Sequence, residues 1–189
     1  MCGIIGAFTH NSQVNQLVVG SLNGLQHRGQ QAAGMATMDG NQMHLKKYLG
    51  LIKEVISNYD LTYLTGNFGI GHVRYPTAGA ANDPEQAHPF YVNSPFGIML
   101  AHNGNLTNAA ELKQDVLQHN HRHVRTKSDS EILINVFAYE LEQLTVNSDL
   151  NNQKIFQAIT NLNQRIKGGY AVVSLIANYG LIVFRDPHG

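Results

Sequence analysis

The sequence has little cysteine, no excess of charge of either sign and no long hydrophobic run. Its 189 residues include one cysteine, which excludes an internal disulfide and therefore a disulfide-stabilised secreted scaffold. Because 13 Lys and Arg residues balance 13 Asp and Glu residues, there is no broad electrostatic attraction for nucleic acid or anionic lipid. We therefore expect neither nucleic acid nor a membrane as a partner.

Segments that target or anchor a chain are also missing. The longest apolar run, at residues 170–177, is far too short to cross a bilayer. The N-terminus has no basic segment followed by an apolar one, as a secretion signal requires. We therefore expect a cytoplasmic protein. Hydrophobic residues make up 43% of the chain, which excludes a disordered chain, and the length suits one domain or at most two small ones.

Hydrophobic periodicity predicts groups of short strands separated by amphipathic helices. Apolar residues at helical spacing predict helices over residues 13–26, after Ser128, and over residues 155–166. Grouped strands between helices indicate a layered α+β architecture more than a regular βαβ repeat. Short apolar stretches bounded by glycine and polar turns predict strands at residues 2–8, 34–38, 42–49, 66–75, 96–104, 170–177 and 181–184.

Turn and cap signals mark the boundaries of these elements. The dipeptide at 39–40, Asp-Gly, predicts a hairpin turn. Asn108 and Ser128 are each followed three residues later by glutamate, which predicts capping boxes at two helix starts. Residues 50–64 are expected to be helical in pieces. Residues 76–89 lack periodicity and predict a long loop, and loops of that length are often functional.

Cys2 is the residue that the composition leaves to be explained. If the initiator methionine is removed, Cys2 carries a thiol and a free α-amino group together. The thiol has a reference pKa of about 8.5 and the amine one of about 7.7 to 8.0, so the amine can accept the thiol proton without a separate base. The alternative is a small buried hydrophobe in a core strand, which is how free cysteine often packs.

Five motifs appear in order along the chain and favour the catalytic interpretation. This set resembles the class II glutamine amidotransferase domain, a member of the N-terminal-nucleophile hydrolases. The resemblance covers residues 1–189, and it implies one glutaminase domain with a four-layer αββα sandwich. The motifs are CGIIG at 2–6, HRGQQAAG at 27–34, GHVRYPTAG at 71–79, AHNGNLTN at 101–108 and TKSDSE at 126–131.

The resemblance assigns a role to residues in each motif. It implies that Cys2 attacks the side-chain amide of L-glutamine and that Asn103 and Gly104 form the oxyanion hole. Arg74 matches the partner of the substrate α-carboxylate, and Asp129 matches the partner of the α-ammonium group. The simpler alternatives are an ordinary Asn-Gly turn and an aspartate that stabilises the start of a helix.

Two further positions lie at the loop over residues 76–89. Thr77 and His88 resemble substrate-side positions of the family. In the family this loop closes over bound glutamine, which would exclude water until the thioester has formed. We therefore expect Thr77 and His88 to contribute to substrate binding.

The motifs most resemble the branch of the family that passes ammonia to a phosphoribosyltransferase. The resemblance implies a C-terminal phosphoribosyltransferase domain in the same polypeptide, which makes 5-phosphoribosylamine from 5-phosphoribosyl 1-diphosphate in purine biosynthesis. It implies Mg²⁺ in that domain and no cofactor in residues 1–189. Because the sequence ends inside a turn at FRDPHG, we expect a fragment of a longer chain, which is a homo-oligomer when full length.

Three other interpretations stay open. A hexosamine-forming amidotransferase is similar, although that relative tends to have a YRGYDSAG-like segment where this chain has HRGQQAAG. A module that binds glutamine without turnover is another. A metal site is the third, because His119, His121 and His123 alternate. The basic residues nearby oppose a divalent cation, and we expect no metal in this chain.

Overall fold

Two four-stranded antiparallel sheets pack face to face in the part of the chain that the structure describes. The structure is a computed structural model that describes residues 2–75, 83–118 and 121–187. Helices cover the outer face of each sheet, so the layers run helix, sheet, sheet, helix. The predicted α+β fold with an αββα sandwich is confirmed.

The first sheet and its helices come from the N-terminal part of the chain. The spatial order of its strands is β1-β4-β2-β3. The strands are β1 (Gly3–Phe8), β2 (Ala32–Asp39), β3 (Gln42–Leu49) and β4 (Phe68–Arg74). The helices are α1 (Asn15–Leu25), α2 (Ile52–Val55) and α3 (Asp60–Tyr63), and a short 3-10 helix (Gln26–Arg28) follows α1.

Helix α1 packs closely on the first sheet because the strand beneath it carries glycine. Val18 and Leu22 are fully buried, one turn apart, which is the apolar stripe that the periodicity predicts. A Cβ at Gly69 would lie 2.8 Å from Val18, and one at Gly71 would lie 2.7 Å from Leu22. The two glycines of β4 therefore let the helix approach the strand.

The second sheet and its helices come from the C-terminal part. The strands are β5 (Phe90–Val92), β6 (Ile98–Leu106), β7 (Gly168–Ile176) and β8 (Gly180–Arg185), which pair in that order. The helices are α4 (Ala109–Gln118), α5 (Asp129–Thr145) and α6 (Asn152–Arg165). Helix α5 is the most buried of these, because its apolar residues fill the space between the sheet and α6. No helix in the described ranges is long and apolar enough to span a bilayer.

Most predicted strands and helices are confirmed, with two corrections at turns. Asp39 pairs with Gln42, so the loop of the β2–β3 hairpin is residues 40–41 and not 39–40. Gly40 has a φ of +58°, in the left-handed region that glycine adopts without strain. Strand β5 was not predicted, because three residues between prolines carry too little pattern.

The predicted loop over residues 76–89 is described only in its second half. There it contains a short 3-10 helix (Pro84–Gln86), whose start is capped when Asp83 Oδ1 accepts a hydrogen bond from the Glu85 N–H, 3.0 Å. Residues 76–82, and with them Thr77, lie outside the described residues.

The two predicted capping boxes have different outcomes. Ser128 is the N-cap of α5, and its hydroxyl accepts a hydrogen bond from the Ser130 N–H, 3.3 Å. Glu131 does not close the box on Ser128; its carboxylate accepts hydrogen bonds from the N–H groups of residues 125 and 126. The side chain of Asn108 instead bridges Arg165 and Lys167, so the prediction of a side-chain cap at Asn108 is wrong.

Candidate active site

A cavity of about 300 Å³ lies where β1 begins, β4 ends and α5 begins. Five of the seven predicted site residues line it, although they come from five separate segments of the chain. These are Cys2, Arg74, His88, Gly104 and Asp129. The sixth, Asn103, is half-buried in β6 opposite Ala171 and is not part of the cavity lining, and the seventh, Thr77, lies outside the described residues.

Cys2 lies at the start of the edge strand β1, half-buried and open to the cavity. The register of β1 on β4 pairs the next residue, Gly3, with Val73, and this brings Cys2 beside the end of β4. The backbone N–H of Tyr75 donates to the sulfur of Cys2 at 3.4 Å. Arg28 fixes the residue from the other side, because its Nε donates to the Cys2 carbonyl at 3.0 Å. The thiol is thus held at the cavity wall and not in the core.

Arg74 is 6% exposed, and two glutamine side chains hold its guanidinium group. Nη1 donates to Gln31 Oε1 at 2.7 Å, and Nη2 donates to Gln86 Oε1 at 3.1 Å. Burial lowers the pKa of Arg74, and the nearby acidic groups of Cys2, Asp83 and Asp129 oppose this. Arginine nevertheless stays protonated in proteins, so the cavity contains a buried cation. The two amide oxygens orient the guanidinium group, whose planar geometry matches that of a carboxylate.

Asp129 faces the cavity from the first turn of α5. Its Oδ2 accepts a hydrogen bond from the backbone N–H of Leu106 at 2.9 Å, and Leu106 is the last residue of β6. Its Oδ1 lies 3.9 Å from His102 Nδ1. The carboxylate is therefore tied to the second sheet as well as to its own helix, and it is placed to bind a cation in the cavity.

Gly104 lies in β6 where the strand meets the cavity. A Cβ at this position would lie 2.2 Å from the carbonyl oxygen of Gly169 and 2.6 Å from the Cα of Tyr170, both in β7. Two non-bonded atoms cannot approach so closely, so only glycine allows β6 and β7 to pair here. The close pairing of β6 and β7 at the cavity therefore requires glycine at this position.

Three histidines are buried together beside the cavity: His72, His88 and His102. The rings of His72 and His88 stack with their centroids 4.1 Å apart. Burial lowers the pKa of His72 to about 3 and the pKa of His88 well below its ordinary value. Burial also lowers the pKa of His102, although Asp129 opposes this shift. All three imidazoles are therefore neutral near pH 7.

Several residues that shape the site were not singled out by the sequence. Gln31 is inside the HRGQQAAG motif, so the motif itself could have pointed to it. Gln86 lies in a loop with no periodic pattern, and no signal in the sequence connects it with Arg74. Ser130 is inside TKSDSE, but nothing in that motif indicates its contact with His102.

The structure gives no support for a metal site among residues 2–75, 83–118 and 121–187, where no group of three or more His, Cys, Asp or Glu side chains is arranged to hold a metal ion. Of the alternating histidines, His119 lies outside these ranges. His121 and His123 are not in a strand, and His121 has a φ of +52°. The alternation at these positions therefore does not place the rings on one face of a sheet.

Comparison with known proteins fits this geometry. Residues 77–189 match the family profile described as the glutamine amidotransferase domain. The chain belongs to this family, and its ordered motifs and relatives place it in class II.

The relatives that it resembles are amidophosphoribosyltransferases. It is 50% identical to that enzyme of Escherichia coli (strain K12) and 45% identical to that of Saccharomyces cerevisiae, in each case over 100% of this chain and 37% of the relative. The chain thus spans a little over a third of the length of the curated relatives that it matches.

Solved structures agree in fold. The structure of the "allosteric regulatory enzyme of purine biosynthesis" superposes with a TM-score of 0.82 at 34% identity, over 100% of this chain and 38% of the other. Glutamine phosphoribosylpyrophosphate amidotransferase of B. subtilis, complexed with ADP and GMP, gives a TM-score of 0.77 at 33% identity, over 100% of this chain and 38% of the other.

Proposed function

We propose that this chain hydrolyses L-glutamine to L-glutamate and ammonia with Cys2 as the nucleophile. The observation that carries the proposal is the single cavity that brings Cys2 together with a buried arginine, a carboxylate and Gly104. Family membership supports the same chemistry. A thiol alone does not identify a substrate. Here the thiol shares a cavity with the cationic Arg74 and the anionic Asp129, and these two charges complement the α-carboxylate and α-ammonium groups of a free amino acid.

Arg74 and Asp129 are the proposed clamp for the free amino acid. The α-carboxylate of glutamine pairs with the guanidinium fork, and the α-ammonium group pairs with the Asp129 carboxylate. A glutamine residue within a peptide has neither charge and could form neither of these ion pairs. His88 lines the same cavity and is the proposed further contact, together with Thr77.

The chemistry proceeds through a thioester. With the initiator methionine removed, the α-amine of Cys2 takes the thiol proton as Sγ attacks the side-chain carbonyl carbon. The proposed oxyanion hole for the negative charge on the carbonyl oxygen is the Gly104 N–H together with the side-chain amide of Asn103, the residue before it in β6, although Asn103 does not line the cavity in this structure. The amine returns the proton to the leaving nitrogen, ammonia departs, and water hydrolyses the thioester to release glutamate and the free thiol.

The relatives support a proposal for the fate of the ammonia. We propose a C-terminal phosphoribosyltransferase domain in the same polypeptide, where ammonia displaces pyrophosphate from 5-phosphoribosyl 1-diphosphate to give 5-phosphoribosylamine for purine biosynthesis. Mg²⁺ is proposed for that domain, and no cofactor for residues 1–189. The relatives support this proposal because they carry the amidophosphoribosyltransferase name and are longer than this chain. A cytoplasmic homo-oligomer is the form in which we expect it.

The decisive substitution is Cys2→Ala in a polypeptide that carries this chain and the proposed second domain. Glutamine-dependent pyrophosphate release should fall to background because the nucleophile is gone, whereas release driven by added ammonium chloride should persist. A coupled pyrophosphate assay measures both. Wild-type rates with glutamine in Cys2→Ala would refute the mechanism.

Covalent labelling gives an independent measurement on the same residue. Because Cys2 is the only cysteine, a glutamine-analogue electrophile should add one label per chain in intact-mass spectra, and excess L-glutamine should block it. The same spectra report whether Met1 is present. A folded sample that retains Met1 and binds glutamine without turnover would favour the alternative of a glutamine-binding module.

A further inference from the structure

We propose that Ser130 is a positioning residue which, together with His102, fixes the carboxylate of Asp129 for the α-ammonium group of glutamine. The inference rests on the proposed function, because it concerns how the same cavity recognises the free amino acid. Ser130 does not itself bind the substrate in this proposal. It acts through Asp129.

A chain of polar contacts connects the three side chains. The hydroxyl of Ser130 lies 2.8 Å from His102 Nδ1 and 3.4 Å from Asp129 Oδ1. Ser130 is 2% exposed and His102 is 3% exposed, so water does not compete strongly for these groups. The Ser130 hydroxyl therefore connects His102 with Asp129.

The direction of the hydrogen bonds follows from the chemistry of the three groups. A carboxylate only accepts, so the single hydroxyl proton of Ser130 is donated to Asp129. The Ser130 oxygen then accepts from His102, which must carry its proton on Nδ1. Burial lowers the pKa of His102, so the ring is neutral, and its Nε2 is the unprotonated nitrogen. His102 thus donates to Ser130, and Ser130 donates to the carboxylate.

This arrangement removes the rotational freedom of the Asp129 carboxylate. Leu106 N–H holds Oδ2 at 2.9 Å, and Ser130 holds Oδ1. The terminal torsion of aspartate is otherwise broad, so a single contact would leave the plane of the group free to turn. With both oxygens held, the remaining lone pairs face the cavity in a fixed orientation.

His102 also connects this support to the strand that carries the proposed oxyanion hole. Its Nε2 would lie 2.8 Å from a Cβ at Gly104, so the ring packs directly against that backbone. Asp129 and Gly104 are therefore both held by contacts with β6: Asp129 through Leu106, and Gly104 through the packing of His102. The clamp for the ammonium group and the site of the reacting amide keep a fixed separation.

The experiment compares L-glutamine with glutaramate, which is glutamine without its α-amino group, as substrates of the full chain. In Ser130→Ala we expect the ratio of kcat/KM for glutamine to kcat/KM for glutaramate to fall about tenfold, because only glutamine uses Asp129. A merely structural role would lower both values together. Ammonia release measures both reactions.

Ser174→Ala is the matched control. Ser174 is another fully buried serine of the second sheet, and its hydroxyl donates to the Met99 carbonyl at 2.8 Å away from the cavity. Its loss should leave the substrate ratio within about twofold of wild type. Ser130→Cys keeps the size and a weaker donor, so its ratio should be intermediate.

The outcomes separate this inference from the proposed function. An active wild-type chain with an unchanged ratio in Ser130→Ala would overturn the inference and leave the glutaminase proposal standing. An equal loss on both substrates would overturn it as well. A wild-type chain that releases no ammonia from glutamine would refute the proposed function itself. A ratio that falls in Ser130→Ala and holds in Ser174→Ala supports the inference.

Discussion

At Gly104 the absence of a side chain determines how closely two strands can pair beside the cavity. The motif HNGNLTN alone is compatible with an ordinary turn, because asparagine and glycine both tolerate turn geometry. In the structure the residue is inside β6 and not in a turn. Its glycine is required by the backbone of β7, which would occupy the place of a Cβ.

Gly104→Ala should therefore impair catalysis and folding together. The added methyl group pushes β6 from β7 and displaces the proposed oxyanion donor, so kcat for glutamine should fall by about two to three orders of magnitude. The melting temperature should fall as well. Gly169→Ala is the control on the facing strand, where a Cβ meets nothing within 4 Å, and its kcat should stay near wild type. Similar kcat values for the two variants would contradict this account of Gly104.

Arg74 shows how a residue type can be predicted when its surroundings cannot. An arginine in the GHVRYPTAG motif predicts a carboxylate partner by resemblance. Its two amide partners come from separate segments, since Gln31 precedes β2 and Gln86 lies in the 3-10 helix before β5. No local pattern joins three positions so far apart in the chain.

Helix α1 illustrates the same division at the scale of an element. The spacing of its apolar residues predicts its buried stripe, but it does not explain why the helix contains two glycines. Gly20 and Gly24 lie on the exposed side of the helix, and a Cβ at either position would meet nothing within 4 Å. Neither glycine is needed for packing, in contrast to Gly69 and Gly71 in the strand below.

Gly20→Ala and Gly24→Ala should each stabilise the protein. Alanine reduces the conformational entropy of the unfolded chain and favours the helix, so each change should raise the free energy of unfolding by about 0.5 to 1 kcal/mol. Urea denaturation monitored by circular dichroism measures this. Gly69→Ala is the opposing control, because its Cβ would lie 2.8 Å from Val14 and Val18, and it should destabilise. A stability loss in Gly20→Ala would show that α1 has another constraint there.

The start of α5 shows the limit of local signals. The sequence predicted the Ser128 cap correctly because an N-cap is a contact between near neighbours in the chain. It placed Glu131 in the same box, whereas the carboxylate binds the backbone of the preceding loop. Which backbone N–H groups a glutamate reaches depends on the path of that loop, and the path is set by tertiary packing.

At the scale of the whole molecule, buried histidines connect the two sheets beside the cavity. His72 is in β4 of the first sheet and His102 is in β6 of the second. His88 lies against the first sheet, where a Cβ at Gly34 would come within 2.1 Å of its carbonyl oxygen. Protonating any of these rings places a charge where burial disfavours it. Acid should therefore weaken the contact between the sheets.

The sign of the pH dependence follows from the lowered pKa values. An unfolded histidine has a pKa of about 6.5, whereas His72 has a pKa of about 3 in the folded chain. The unfolded state therefore binds more protons, so this contribution is present above pH 6.5 and is lost as the pH falls toward 3. Each such histidine makes the free energy of unfolding fall by up to about 1.4 kcal/mol per pH unit in that range.

Between pH 6 and 4, the free energy of unfolding of His72→Gln should depend less steeply on pH than that of the wild type. The slope should be smaller by about 1 kcal/mol per pH unit, because one buried titrating group is removed. Urea unfolding at a series of pH values gives the slope. His123→Gln removes an exposed imidazole and serves as the control. An equal slope of the free energy of unfolding against pH in wild type and His72→Gln would show that His72 does not contribute to the acid sensitivity.

The sequence by itself determined most of the elements and their order, and it indicated candidate residues for the site. Periodicity depends on which face of each helix or strand is buried, and that information is local. The composition excluded disulfides, and the ordered motifs indicated a family, an α+β sandwich and the candidate residues. Those motifs also gave Cys2 a possible role that composition alone could not give it.

The tertiary structure alone decided which residues lie together. The antiparallel register of β1 on β4 brings Cys2 beside Arg74, and the packing of α5 on β6 brings Asp129 to the same cavity. The amide partners of Arg74 and the contact of Ser130 with His102 also appear only there. The physical reason is that a contact between distant segments depends on strand register and layer packing, and neither leaves a periodic signal in the sequence.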